Sequence, residues 1–236
     1  MVVGKLRGFR SLLSLLISFY IVVQYIIPQV LSGSDPLLTT LIGSFVILLT
    51  IIYLSEGFNR DSNTAIVSIL SSLLITIGLS WFFVQMARLT GFSGEEMSTL
   101  VSYGYDSLSF KGLLLAGIII GSLGVLDDVV LAQIAAVKEI YKANPDQSKM
   151  EIFASAYKIG VTHINSMTNT LFLAYAGASL PLIALIVSGQ SAFSSSTQII
   201  NNEEIATEII RTLTGSIGLI SSVPIATFLA VWRLKK

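Results

Sequence analysis

The sequence predicts an all-α, polytopic membrane protein, a bundle of six transmembrane helices. Of its 236 residues, 53% are hydrophobic and only 12% are charged, which is not typical of a soluble domain of this length. Six apolar runs are long enough, or nearly so, to cross a hydrocarbon core of roughly 30 Å as helices. One of them, residues 112–137, carries two adjacent carboxylates, Asp127 and Asp128. We therefore expect a single transmembrane domain that comprises the whole chain, residues 1–236.

The predicted spans follow one another with short connections. The first is interpreted as a retained span, because its apolar part is too long for a signal sequence and lacks a small-residue cleavage site. The polar segment 138–163 has apolar residues at helical spacing, among them Met150, Phe153 and Tyr157. This pattern predicts a cytoplasmic amphipathic helix at the membrane surface. The predicted spans are about 9–31, 37–54, 64–86, 112–137, 163–187 and 209–232, and the surface helix is about 147–162.

Lysines and arginines predict the orientation, because these residues are retained on the cytoplasmic side of a membrane. With the N-terminus inside, all but three of the 14 lie in cytoplasmic segments. The three exceptions are Arg88, Lys111 and Arg211. We expect a multi-pass protein with both termini in the cytoplasm.

The two aspartates are the strongest functional candidates. A charged side chain at the centre of a span costs at least about 2.5 kcal/mol on insertion scales, so intramembrane acids face the protein interior and mark functional sites. Gly117, Gly121 and Gly124 recur with Asp128 at steps of three or four, on one helical face that a neighbouring helix can approach closely. The alternative, a pair that snorkels at a helix end, is disfavoured because the apolar run continues beyond Asp128.

Polar residues of the fifth and sixth spans are expected at the depth of the two acids. Pro224 removes one helix hydrogen bond and frees a carbonyl in the sixth span. A dry carboxylate pair should titrate as a coupled unit, which can take a proton from one side of the membrane and release it on the other. The predicted ion-binding residues are Asp127, Asp128, Asn165, Thr168, Asn169, Ser221 and Ser222. The predicted helix-packing residues are Gly117, Gly121, Gly124, Gly177, Pro181 and Pro224.

Other classes of function find little support. The net charge of zero gives no basic field for nucleic acid, and with no cysteine and one histidine we expect no metal site and no cofactor. No phosphate loop or nucleophilic triad is present, and an aspartyl protease needs acids on two facing helices, so an enzyme is not expected. Small polar residues also join membrane helices, and for Asn165, Ser166 and Ser221 this interpretation stays open.

Two motifs carry a resemblance to a known family. Residues 124–130, GVLDDVV, and residues 168–181, TNTLFLAYAGASLP, resemble the YibE/F family of membrane proteins. The resemblance covers the fourth to sixth spans and implies the bacterial cytoplasmic membrane, without an established activity. Longer members look like this bundle preceded by an extra span and an extracytoplasmic domain. Besides the lipid bilayer, the implied partner is a second copy, or a paralogous YibE/F-type subunit that carries such a domain.

A more distant resemblance concerns the mechanism. The acids in the fourth of six spans, the surface helix and the Thr/Asn-rich fifth span are similar to the six-span half-bundle of RND exporters and SecDF. In that superfamily the acids matched by Asp127 and Asp128 carry protons that drive substrate movement, and Thr168 and Asn169 match polar positions approximately. The large domain after the first span is replaced here by residues 32–35. A six-span half also implies a pseudo-twofold mate.

The sequence leads to two hypotheses of function. The first is a subunit of a proton- or cation-coupled transporter or exporter that uses the Asp pair. The alternative is a non-transporting membrane scaffold or assembly factor for a partner subunit, in which the acids specify helix packing. Substitution of Asp128 by asparagine distinguishes the two, since it abolishes function only in the first.

Overall fold

The computed structural model describes residues 5–188 and 195–234, and every regular element in these ranges is helical. The helices are α1 (Lys5–Ile21, continued by a π-helical turn at Val22–Ile26), α2 (Ile27–Leu31), α3 (Pro36–Glu56), α4 (Arg60–Met86), α5 (Glu95–Ser102), α6 (Phe110–Ala143), α7 (Lys149–Ala178), α8 (Leu180–Val187), α9 (Ser196–Ile200) and α10 (Glu203–Trp232).

Five of these helical stretches are long and apolar enough to cross a membrane, and the bent pair of α7 and α8 adds a sixth if it counts as one span. The five are Gly8–Leu31, Pro36–Glu56, Arg60–Met86, Phe110–Ala143 and Glu203–Trp232. They confirm the prediction of an all-helical, multi-pass membrane protein with five or six candidate spans.

Local chemistry explains where several of these helices begin. The carboxylate of Asp35 accepts a hydrogen bond from the backbone N–H of Leu38 at 2.8 Å, with Pro36 in the first turn of α3. At α7, Ser148 and Glu151 form a capping box, each side chain accepting from the other's backbone N–H. These caps satisfy donors that a helix start leaves free, so the connections between spans can be short.

Close packing at the centre of the bundle depends on small and hydroxyl side chains. Helix α10 packs against α4, α6 and α7, and α6 also packs against α3 and α4. Ser72 and Thr76 of α4 are fully buried, and each donates to the carbonyl four residues earlier in its own helix. A Cβ at Gly218 of α10 would overlap the Thr76 hydroxyl. The two backbones are therefore as close as these residues permit.

The structure corrects the predicted boundary near residue 162. Residues Lys149–Ala178 form one helix, so the structure does not confirm a separate surface helix over 147–162. The reason is tertiary packing: Ile152 and Ala156 are buried in the main core, whereas Met150 of the predicted apolar face is 76% exposed. The segment carries a second apolar face that packs on the bundle.

Prolines mark a bend in one span and not in the other. Helices α7 and α8 meet at 66°, and Pro181 lies in the first turn of α8, where its missing N–H costs no helix hydrogen bond. Pro224 lies inside α10, which continues through it to Trp232. The helical path of the predicted fifth span therefore bends between α7 and α8.

The two ends of the bundle differ in charge. At one end, Lys138 pairs with Asp61, and an Arg233 N–H donates to the Thr64 hydroxyl at 2.8 Å. At the other end, the Glu203 carboxylate accepts from the Thr90 hydroxyl at 2.9 Å and from the Gly91 N–H at 2.7 Å. We call the end that holds Lys138 and Arg233 the basic end, and the end that holds Glu203 the acidic end.

Candidate functional site

Asp127 and Asp128 lie at the middle of the longest helix. Helix α6 runs for 34 residues, and both acids are about 24 Å from either end at about 1.5 Å per residue. The Asp127 side chain is half-buried and that of Asp128 is exposed. The backbone N–H of Asp128 donates to Oδ1 of Asp127 at 3.0 Å. Both carboxylates are therefore far from either end of the helix that carries them.

The acids line a groove of about 390 Å³ on one side of the bundle. Helices α1 and α3 form its other walls, and we call it the aspartate groove. It is lined by Ser11, Ser14, Leu15, Ser18, Phe19, Val22, Ile47, Ile51, Ile120, Leu123, Gly124, Asp127 and Asp128. Within the described residues, the only charged side chains in this lining are the two aspartates.

Three serines of α1 face the acids across this groove. Ser14 is 3% exposed and donates to the carbonyl of Ser11 at 2.8 Å, and Ser18 donates to the carbonyl of Ser14 at 2.8 Å. With their hydrogens bound within the helix, the hydroxyls of Ser14 and Ser18 have lone pairs left to accept from a ligand. These serines are not among the predicted site residues, although Ser11, Ser14 and Ser18 at steps of three and four lie on one helical face.

The polar residues predicted on the fifth span share the level of the acids but not their face. Ile164 and Met167 of α7 belong to the same apolar cluster as Val125 and Val129 of α6, which sets the level. Asn165 and Asn169 are nevertheless exposed, and neither lines the aspartate groove. Thr168 is half-buried, and its hydroxyl has no hydrogen-bond partner among the described residues.

The two serines predicted on the sixth span donate hydrogen bonds within their own helix, α10. Ser222 is fully buried and donates to the carbonyl of Leu219 at 2.7 Å. Ser221 is half-buried and donates to the carbonyl of Ile217 at 2.8 Å. Neither lines the aspartate groove, whose described walls come from α1, α3 and α6.

The four predicted packing glycines, three in α6 and Gly177 in α7, differ in their surroundings. A Cβ at Gly121 would lie 2.8 Å from the Tyr175 hydroxyl of α7, whereas one at Gly117 would be in ordinary contact, 3.9 Å from an Arg211 nitrogen of α10. A Cβ at Gly124 or Gly177 would meet nothing within 4 Å among the described residues. Gly124 instead lines the aspartate groove, so only Gly121 of the four has a neighbour closer than a Cβ would normally allow in the described part of the chain.

The chain, with its Asp-Asp pair at the middle of α6, can now be compared with known families. The family model described as YibE/F-like protein matches residues 1–236, the whole chain. The chain belongs to the YibE/F-like family. The match extends beyond the fourth to sixth spans, which carried the resemblance in the sequence. Neither the curated proteins nor the solved structures gave a match.

The aspartate groove of this YibE/F-like protein has a definite chemical capacity. Two neighbouring carboxylates and accepting serine hydroxyls offer oxygen ligands only, and no cation in the described lining neutralises them. Such a set can hold a proton or a small hydrated cation, because each neutralises part of the repulsion between the acids. Apolar side chains of Ile47, Ile51 and Leu123 complete the walls of the groove.

Proposed function

We propose that this protein is a subunit of a proton- or cation-coupled membrane transporter, in which Asp127 and Asp128 bind the coupling ion. The observation that carries the proposal is the position of both acids at the middle of α6, in a groove whose described lining holds no neutralising cation. A charged side chain within an apolar span raises the free energy of insertion, so such residues are rare and usually have a function. The resemblance of the Asp-Asp stretch to the proton-carrying acids of RND exporters and SecDF supports the proton as the ion.

The location in the proposal is the bacterial cytoplasmic membrane, with the basic end of the bundle in the cytoplasm. The basic end carries Arg60, Lys138, Lys142 and Arg233 around one cavity. Lysine and arginine are retained on the cytoplasmic side. Because α1 begins and α10 ends at this basic end, both chain termini are cytoplasmic in this orientation.

Proton flux into proteoliposomes under an imposed potential tests the proposal. We expect the wild type to give a potential-dependent flux and Asp127→Asn or Asp128→Asn to lower it at least tenfold, with the fold retained. Asp146→Asn is the matched control, since Asp146 is exposed in the turn between α6 and α7 and should leave the flux unchanged. A sodium gradient replaces the proton gradient in a second series.

Flux that survives in both aspartate variants would refute the role of the pair. Absence of flux in every combination, with the variants still folded and bound to the partner, would favour the scaffold hypothesis. The assay is run with and without a coexpressed paralogue, because the proposed unit contains two YibE/F-type subunits.

A polar face on α7 supports this second subunit. Thr162, Asn165, Ser166, Asn169 and Thr170 are exposed on a helix that belongs to the fifth span. Amide side chains that face lipid lose hydrogen bonds with water, whereas a neighbouring membrane helix can restore them. We propose that a second copy of the chain, or a paralogous subunit, covers this face.

Cysteine cross-linking tests the subunit contact. The chain has no native cysteine, so single substitutions report one position each. We expect Asn165→Cys or Asn169→Cys to form a disulfide-linked dimer in oxidising conditions, with a second copy or with a coexpressed paralogue that carries a cysteine at the matching position. Leu74→Cys is the control, since Leu74 is 68% exposed on α4 and lies outside the polar face. Cross-links at Leu74 but at neither asparagine would contradict the assignment.

A further inference from the structure

An apolar cavity of about 410 Å³ lies near the acidic end, between the α7–α8 bend and α10. Its walls are mainly aliphatic and aromatic, with Ile183 of α8 and Ile209 and Leu213 of α10 among them. Glu208 is the one charged residue in its described lining. A cavity of this chemistry suits an apolar body, except at the one position where a carboxylate enters it.

Only one oxygen of the Glu208 carboxylate accepts a hydrogen bond from the described residues. Its Oε1 accepts from Arg211 Nη1 at 2.7 Å, and both side chains are about three-quarters buried, 24% and 27% exposed. Its Oε2 is buried without a hydrogen-bond partner among the described residues. Arg211 also lies 5.9 Å from the centre of the Tyr175 ring. One carboxylate oxygen is thus fixed by Arg211 and the other is available to a ligand.

A second, polar cavity of about 220 Å³ shares Glu208 with the first. Its described walls carry three carboxylates, those of Glu96, Glu204 and Glu208, against the single guanidinium of Arg211. Thr207 also lines it, is 5% exposed, and has a hydroxyl without a hydrogen-bond partner among the described residues. A buried hydroxyl is normally paired, so this atom points independently to a missing polar partner.

We propose that Glu208 anchors an amphipathic organic cation, with its primary ammonium group in the polar cavity and its apolar body in the apolar cavity. The ammonium group donates to Oε2 of Glu208 and to the Thr207 hydroxyl, which are the two unpartnered acceptors. The three carboxylates favour a cation over an anion of the same shape. This site is separate from the aspartate groove, and binding to it requires no ion coupling.

The test compares two fluorescent probes that share one apolar body. Wild-type protein in nanodiscs is titrated with a dansyl group on a five-carbon primary amine and with the same dansyl group on a six-carbon carboxylic acid, against empty nanodiscs. We expect saturable binding of the amine, at least tenfold tighter than that of the acid. Glu208→Gln should weaken amine binding at least tenfold, whereas Glu95→Gln, at an exposed acid outside both cavities, should not.

A cavity-filling variant keeps the test valid if Glu208→Gln fails to fold. Ile183→Trp fills the apolar cavity and should abolish saturable binding, whereas Leu173→Trp, on an α7 side chain that is 66% exposed and outside the lining, should leave it intact. Asp128→Asn should bind the amine as the wild type does, which separates this site from the proposed ion coupling. Equal binding of amine and acid, or undiminished binding in Ile183→Trp, would overturn the proposal.

Discussion

Substitution of Gly160 by alanine tests whether the first half of α7, residues 149–160, packs on the bundle. The sign of the change in the free energy of unfolding decides the question. A Cβ at Gly160 would overlap Val223 Cγ1 of α10 and lie 2.6 Å from Gln133 Oε1 of α6. Neither neighbour moves freely: valine is stiff at χ1, and the Gln133 amide donates to the Ala156 carbonyl at 2.9 Å and to the Thr227 hydroxyl at 2.7 Å. The added methyl group must therefore separate the helices.

Two opposing terms set the magnitude. Alanine is better than glycine in a helix interior by about 1 kcal/mol. Overpacking a close contact costs about 1–3 kcal/mol. The sum predicts that Gly160→Ala lowers the free energy of unfolding by up to about 2 kcal/mol, and that Gly160→Val lowers it further because a β-branched side chain is larger and stiffer.

Unfolding by SDS in mixed micelles, followed by circular dichroism, measures these changes. Gly177→Ala is the matched control in the same helix, because a Cβ there meets nothing within 4 Å. It should raise the free energy of unfolding by up to about 1 kcal/mol. If Gly160→Ala stabilises the protein as much as Gly177→Ala does, residues 149–160 do not pack on the bundle and the reasoning fails.

Two further predictions concern contacts between distant segments. Gln133→Met keeps the volume of a side chain that is 2% exposed but loses both of its hydrogen bonds, so the free energy of unfolding should fall by about 1–3 kcal/mol. In the same SDS titration, Gln24→Met at an exposed position should change the free energy of unfolding little. Glu203→Ala removes the acceptor of the Thr90 and Gly91 amides, so hydrogen–deuterium exchange of that loop should become about tenfold faster. Glu95→Ala should not alter this exchange, and unchanged exchange in Glu203→Ala would show that the loop is held by other contacts.

Helix ends were predictable from the sequence where local chemistry decides them. Asp35 followed by Pro36 starts α3, and Ser148 with Glu151 starts α7, as each side chain bonds the backbone a few residues away. The continuity of α7 was not predictable in the same way. Its first turns carry two apolar sets, and periodicity alone does not distinguish the set containing Ile152 from the set containing Met150. The choice depends on α6 and α10, which lie elsewhere in the chain.

The candidate site also combines one feature that the local sequence predicts with others that depend on distant segments of the chain. The depth of Asp127 follows from its place within an apolar run, and the structure has it at the middle of α6. The identity of its neighbours depends on which helices cover each side of α6. Helices α7 and α10 take the side of Val129, in a cluster with Ile164 and Leu219.

The other side of α6 is left to α1 and α3, which is why serines of the first span line the aspartate groove. The first candidate span, Gly8–Leu31, is the least buried of the five in the described part of the chain, and the contacts of α1 outside this span are mainly with α3. A helix held by so few contacts can move at low cost relative to the α4–α6–α10 core. If the protein transports as proposed, any change in the hydration of Asp127 and Asp128 is therefore expected to involve α1. Variants of Ser14 on that helix should alter the proton flux without altering the packing of α6.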